Sequence, residues 1–187
     1  MKKEWCQMRA DMKNRSALLF VLGVVVFIFG CATKIQHSDV IADSTSKLEK
    51  NQIVYIALAG DGHYGGKAYP GSGVQVSHFI GGGIKPYVQK TIVANAPAST
   101  EAILASAKDS GARYAFVPVI SNWEPRAAAW SGIPTRVSIS IAIHDVSTGQ
   151  EVMLRKIDVK GRAMTFVSQS ADELAKVAIY EFCANIF

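Results

Sequence analysis

Hydrophobic and polar positions divide this chain into three unequal parts. From Ala17 to Phe29 every side chain is apolar or glycine. From Lys34 to Asn51 Ser, Asp and Lys dominate without sustained periodicity, which reads as a tether. A third region, from residue 52 to 187, alternates between strand-like and helix-like patterns. Ile53–Ala59 is apolar on both alternating sets, as a strand covered on both faces requires. A turn-rich stretch, Gly60–Gly71, leads into a helix with Ser72 as expected N-cap and a face of Val76, Phe79, Ile80 and Ile84. Each glycine of Gly81-Gly82-Gly83 costs a helix about 1 kcal/mol relative to alanine, so this helix is expected to end or fray there.

Val88–Ala94 reads as the next strand, and Thr100–Ser110 as a helix capped by Ser99 and stopped by Gly111. Tyr114–Ile120 is a second doubly apolar strand. Val137–His144 alternates strictly, Asp145–Gln150 is a hairpin turn, and Glu151–Val159 is the returning partner. The last helix opens on the capping box Ser170-Ala171-Asp172-Glu173 and carries Leu174, Ala178, Ile179, Phe182 and Ile186 on one stripe. This order predicts an α/β domain: a mixed five-stranded sheet with a parallel start, an antiparallel hairpin at the end, and about three helices. No internal repeat is visible.

Lys13 and Arg15 precede the apolar run, and Gly30-Cys31-Ala32 follows it. A basic start, an apolar core of about 7–15 residues and a small residue at the end describe a secretory signal. The run is too short for the roughly 20 apolar residues that cross a bilayer. Ile28-Phe29-Gly30-Cys31 resembles the lipobox of bacterial lipoproteins, although Phe29 is bulkier than is usual in its slot. That resemblance implies a signal over residues 1–30, cleavage before Cys31, and acylation of Cys31 by the lipoprotein processing machinery. A palmitate-bearing cysteine followed by a tether over residues 31–51 is then expected. Ala32, standing where an aspartate often retains lipoproteins in the inner membrane, implies sorting to the outer membrane with the domain facing the periplasm. Several acyl chains anchor stably where one alone does not. The compact basic run Met12-Lys13-Asn14-Arg15 also suggests translation from Met12.

Charge changes this picture little. The formal net charge is +5, but residues 1–30 hold five basic and two acidic side chains. The remainder has 15 basic and 13 acidic groups, about +2, and no basic cluster with interleaved aromatics, so nucleic acid is not an expected partner. Cys6 lies in the leader, Cys31 has the use just described, and Cys183 stands alone on an apolar stripe, so no disulfide framework is indicated. The four histidines (His37, His63, His78 and His144) lack metal-ligand spacing, and no cofactor or metal is expected.

Two segments are candidates for binding chemistry. The Gly-rich stretch between a strand and a helix sits where phosphate cradles occur, but Asp61 and Ala68 occupy slots a nucleotide loop needs for glycine and Ser/Thr. Its glycines either let a long loop turn, or Asp61, Tyr64, Lys67 and Tyr69 hold a small polar ligand. Downstream, Trp123, Arg126 and Trp130 flank a proline corner, Trp123-Glu124-Pro125-Arg126. They either anchor a sugar or a partner, or cover the sheet's end. Asp61-Gly62-His63-Tyr64-Gly65-Gly66 with Tyr69 and Gly71-Ser72-Gly73, then Trp123–Arg126 through Trp130-Ser131-Gly132 and the Thr148-Gly149 turn, are together similar to an uncharacterised family of proteobacterial lipoproteins. That resemblance implies a class and a location without an activity, and the triple glycine departs from it. The expectation is an outer-membrane lipoprotein with a non-enzymatic interaction domain that binds an envelope protein or polymer. The alternative is a small polar-ligand binder or hydrolase built on the 61–73 loop.

Overall fold

A computed structural model describes the backbone of residues 34–41 and, with side chains, residues 47–125, 133–161 and 169–187. The elements are β1 (Lys34–Ile41), β2 (Ile53–Ile56), β3 (Gly62–Tyr64), β4 (Lys67–Tyr69), α1 (Ser72–Ile84), β5 (Lys90–Val93), α2 (Thr100–Asp109), β6 (Tyr114–Glu124), β7 (Arg136–Asp145), β8 (Glu151–Lys160) and α3 (Ala171–Ile186).

The expected mixed sheet is present. β5 and β6 flank β2 in parallel, and β7 and β8 follow β6 antiparallel. Because β5 lies on one side of β2 and β6 on the other, the two crossovers run in opposite directions. Right-handed connections then put their helices on opposite faces. α1 packs on the face bearing Val54, Ile56 and Phe116, whereas α2 packs Ile103 and Ala107 against Ala57 and Ala115 on the other. α3 joins α1, and Leu174, Ala178, Ile179, Phe182 and Ile186 close the main core over Ile139, Ile141, Ile143 and Ile157. The second face carries only α2, so the outer face of β7 and β8 has no helix packed on it among the described residues.

Three local expectations are corrected. The segment expected to be a polar tether contributes β1, which pairs antiparallel with β8 from Lys34↔Lys160 onward. An open sheet edge offers unpaired backbone groups to any extended neighbour, whatever its side-chain pattern. Leu48, further along the same segment, is buried, and its N–H donates to the carbonyl of Ile186 at 2.8 Å.

The second correction concerns the triple glycine. α1 continues through Gly81–Gly83 to Ile84. A Cβ on Gly83 would lie 2.9 Å from Sγ of Cys183, and one on Gly82 would collide with the hydroxyl of Tyr180. The glycines therefore let α3 approach α1 closely, and that packing outweighs their poor helix propensity. Burial in this interface also pushes the Cys183 thiol up to about 12.

The third is the start of α1. Its N-cap is Gly71 in the left-handed region, with no side-chain cap of its own. Ser72 is the first helical residue, buried, and its Oγ accepts from the N–H of Gly62 at 2.8 Å and donates to the carbonyl of Tyr69 at 2.7 Å. By contrast, Ser99 and the Ser170/Glu173 capping box act as expected on α2 and α3.

Candidate functional site: the β3–β4 hairpin and the end of β6–β8

The Gly-rich stretch is a two-stranded hairpin rather than an open loop. Gly65 and Gly66 form its two-residue turn with φ of 57° and 78°, the pair of positive values that matches the twist of a tight hairpin. Its first strand lies against β6, where Gly62 meets Trp123 and Ile120. Tyr69 packs on the main core from the second strand.

The candidate residues of this stretch divide by role. Oδ1 of Asp61 accepts from the N–H of Gly73, the second residue of α1, at 3.0 Å, so this carboxylate caps the helix from ten residues upstream of Gly71. Tyr64 stands exposed at the hairpin tip. Hydrogen bonding to the Glu124 carboxylate, and then that carboxylate's charge, hold its phenol above the usual range. Lys67 is exposed, with Nζ 5.4 Å from the centre of the Tyr69 ring. Asp61 and Tyr69 thus have structural contacts, and Tyr64 and Lys67 project at the surface.

Trp123, read from the sequence either as an anchor for a sugar or partner or as a cover for the sheet's end, is 3% exposed, inside the main core. The cause is a β-bulge. Pairing of β6 with β7 runs regularly to Ile120↔Ile139, skips Ser121, and resumes at Asn122↔Ser138 and Trp123↔Val137. The extra residue reverses the parity of the strand. Trp123 turns inward with Val137, and Asn122 and Glu124 turn outward with Ser138 and Arg136. Arg126, Trp130 and Cys31, the residue expected to be acylated, lie outside the described residues.

The bulge also creates a feature that sequence inspection missed. Across the ends of β6, β7 and β8 lies an open cleft of about 520 Å³ lined by Asn122, Glu124, Arg136, Ser138, Asp158 and Lys160, with Val137 and Val159. In register these polar side chains form two rows, Asn122–Ser138–Asp158 and Glu124–Arg136–Lys160. Oγ of Ser138 donates to Oδ1 of Asp158 at 2.5 Å, and Nζ of Lys156 lies 3.3 Å from Oδ2 of the same carboxylate. Tyr64 reaches the same corner through Glu124, so the structure brings one residue of the Gly-rich candidate set to the Trp123–Glu124 segment. The strict alternation of Val137–His144 already assigns Ser138 to the outer face. No one-strand pattern reveals that three strand ends coincide. Among the described residues no His, Cys, Asp and Glu side chains group in threes to hold a metal ion, and no helix is long and apolar enough to cross a membrane.

Residues 46–185 match the sequence profile of a family described as Domain of unknown function (DUF4823). The chain belongs to that family. The family profile thus spans the hairpin, the β6–β8 cleft and all three helices. No curated protein matches the chain. Among solved structures, it is similar to the PelC dodecamer from Paraburkholderia phytofirmans, with a TM-score of 0.63 at 13% identity over 83% of this chain and 97% of that one. It is also similar to the hypothetical protein CT253 from Chlamydia trachomatis, with a TM-score of 0.49, 11% identity and coverage of 73% and 95%. A third is lipoprotein GNA1162 from Neisseria meningitidis, with a TM-score of 0.44, 9% identity and coverage of 72% and 99%. At these identities the PelC likeness establishes a shared fold.

Proposed function

We propose that this DUF4823 protein is a lipid-anchored envelope protein, acylated on Cys31 and held at the outer membrane, whose periplasmic domain is a non-enzymatic interaction module. The observation that carries the reading is the outer face of β6–β8, on which no helix packs among the described residues. α1 and α3 pack together over one side of the sheet, while α2 covers only its β2–β6 part on the other. That face combines Val119, 55% exposed, with the polar cleft at the strand ends. A surface of mixed apolar and polar character suits recognition of a protein or an envelope polymer. The lipobox-like Ile28-Phe29-Gly30-Cys31 supplies the membrane side of the reading.

The rival, a hydrolase or small-ligand binder on the 61–73 stretch, has less support, although Tyr64 and Lys67 stay exposed there. Asp61 caps α1, and the Ser72 hydroxyl makes two internal hydrogen bonds, which leaves no free nucleophile–base pair there. PelC is a dodecamer in its own crystals, so a second copy of this chain is one class of partner to test.

Two measurements test the proposal. Labelled palmitate should enter the wild-type chain and not Cys31→Ser, which should leave the membrane fraction. A photocrosslinking residue at Val119 or Ser140 should capture a defined partner, and one at Lys176 on α3 should not. Equal capture at both positions, or no capture at the sheet face, would remove the case for an interaction surface there.

A further inference from the structure

We infer that the cleft across the ends of β6, β7 and β8 binds a ligand through a carboxylate or phosphate group, with Arg136 and Lys160 supplying the positive charge. The inference deepens the proposal above by naming the group recognised, and it rests on the reading of the β6–β8 face as a binding surface.

The argument is an accounting of charge in the cleft. Its two carboxylates already have partners. Asp158 accepts from Ser138 and pairs with Lys156, and Glu124 faces the Tyr64 hydroxyl. Its two cations are less well matched. Arg136 stands opposite Glu124 in register, but among the described residues neither its guanidinium nor the Lys160 ammonium makes an ion pair or side-chain hydrogen bond within contact distance. Both line the cleft, and they are direct register partners on antiparallel strands.

Directly opposed residues hold their Cβ atoms about 4.5–5.5 Å apart, and like charges in that position oppose folding. Glu124, opposite Arg136 on its other side, offsets part of this repulsion, and an oxyanion seated between Arg136 and Lys160 would offset more. The planar guanidinium fork is suited to two oxygens of a carboxylate or phosphate.

The size of the cleft restricts the ligand further. At about 520 Å³ it lies within the roughly 300–1,000 Å³ of small-molecule sites and exceeds what a bare ion fills. Asn122, Ser138 and Asp158 form the adjacent row and offer both donors and acceptors to the ligand's body. The chemistry that fits is an oxyanion on a polar, sugar-sized body. An acidic glycan and a phosphorylated headgroup share that chemistry.

The test uses the full chain in detergent micelles, titrated calorimetrically with trigalacturonate, maltotriose and inorganic phosphate, and by co-sedimentation with phosphatidylglycerol or phosphatidylcholine vesicles. At least one acidic probe should bind at least tenfold more tightly than its neutral counterpart. Arg136→Gln/Lys160→Gln should weaken that binding at least tenfold while leaving the melting temperature unchanged or raised. Lys108→Gln, on α2, should change it less than twofold. Preference for trigalacturonate assigns a glycan carboxylate, and preference for the anionic vesicles a lipid phosphate. Equal binding of acidic and neutral probes, or an unaltered affinity in the double variant, would overturn the inference. If crosslinked partners at Val119 persist in that case, the interaction-module reading survives without it. If capture at Val119 fails while acidic probes bind, the reverse holds.

Discussion

Gly62 lies directly against Trp123: a Cβ built on the glycine would fall 2.6 Å from Cβ of the tryptophan. The two residues come from the two segments that the sequence marks as candidates for binding. Their contact shows that the segments form one structural corner, with the hairpin backbone laid on a buried ring.

Gly62→Ala should therefore destabilise the domain by about 1–3 kcal/mol, the usual cost of overpacking a filled site. Trp123→Ala should cost more, about 3–5 kcal/mol. Denaturant titration reads both. A Trp123→Ala protein of wild-type stability would show that the ring is not a core element.

The α1–α3 interface predicts a coupled pair. Gly83→Ala gains helix propensity of about 1 kcal/mol but drives a methyl into Cys183. It should destabilise the wild type and do so less in a Cys183→Ala background, and a double-mutant cycle measures the difference. With its pKa near 12, Cys183 should also resist alkylation in the folded protein and react on unfolding, read by mass mapping of the C-terminal peptide.

Asp61 predicts a helix-cap phenotype rather than a ligand phenotype. Asp61→Ala should lower stability by about 1 kcal/mol, and Asp61→Asn, which keeps an acceptor oxygen, should recover most of it. Partner capture at the sheet face should be unchanged in both variants.

At the opposite end of β7, the Asp145 carboxylate sits below the usual aspartate range. The Ser147 hydroxyl is the main cause, followed by turn N–H groups and Arg113, whose Nη1 lies 2.7 Å away. A depressed folded value means that this carboxylate stabilises the fold above its unfolded value and ceases to do so as pH falls through the folded one. Wild type should lose stability relative to Asp145→Asn over that acid range, and urea midpoints measured across it give the difference.

Tyr64 titrates in the other direction. The folded state holds its proton more tightly than the unfolded chain does, so the Tyr64–Glu124 interaction is intact at neutral pH and disappears as pH rises through the elevated phenol value. Glu124→Gln should move the phenolate transition of Tyr64 downward, as followed by ultraviolet difference spectra against a Tyr64→Phe reference.

Much of the fold was legible in the chain because local periodicity and capping carry it. The alternation of Val137–His144, the Asp145–Gln150 turn, the Ser99 cap and the Ser170–Glu173 box each act within a few residues, and each appears in the structure where the sequence puts it. The signal-like run and its cysteine are equally local, being a property of consecutive side chains.

Contacts between distant segments decided the rest. Gly81–Gly83 reads as a helix terminator until α3 is laid against Gly82 and Gly83, because only then do their missing Cβ atoms become close packing. Trp123 reads equally as a binding anchor or as a cover for the sheet's end until pairing with β7 inserts a bulge at Ser121, reverses the strand's parity and turns the ring inward. Arg136 and Lys160 are 24 residues apart in the chain and become neighbours only in register. Single-residue parity and cross-strand adjacency depend on how the sheet is paired, which no one segment encodes.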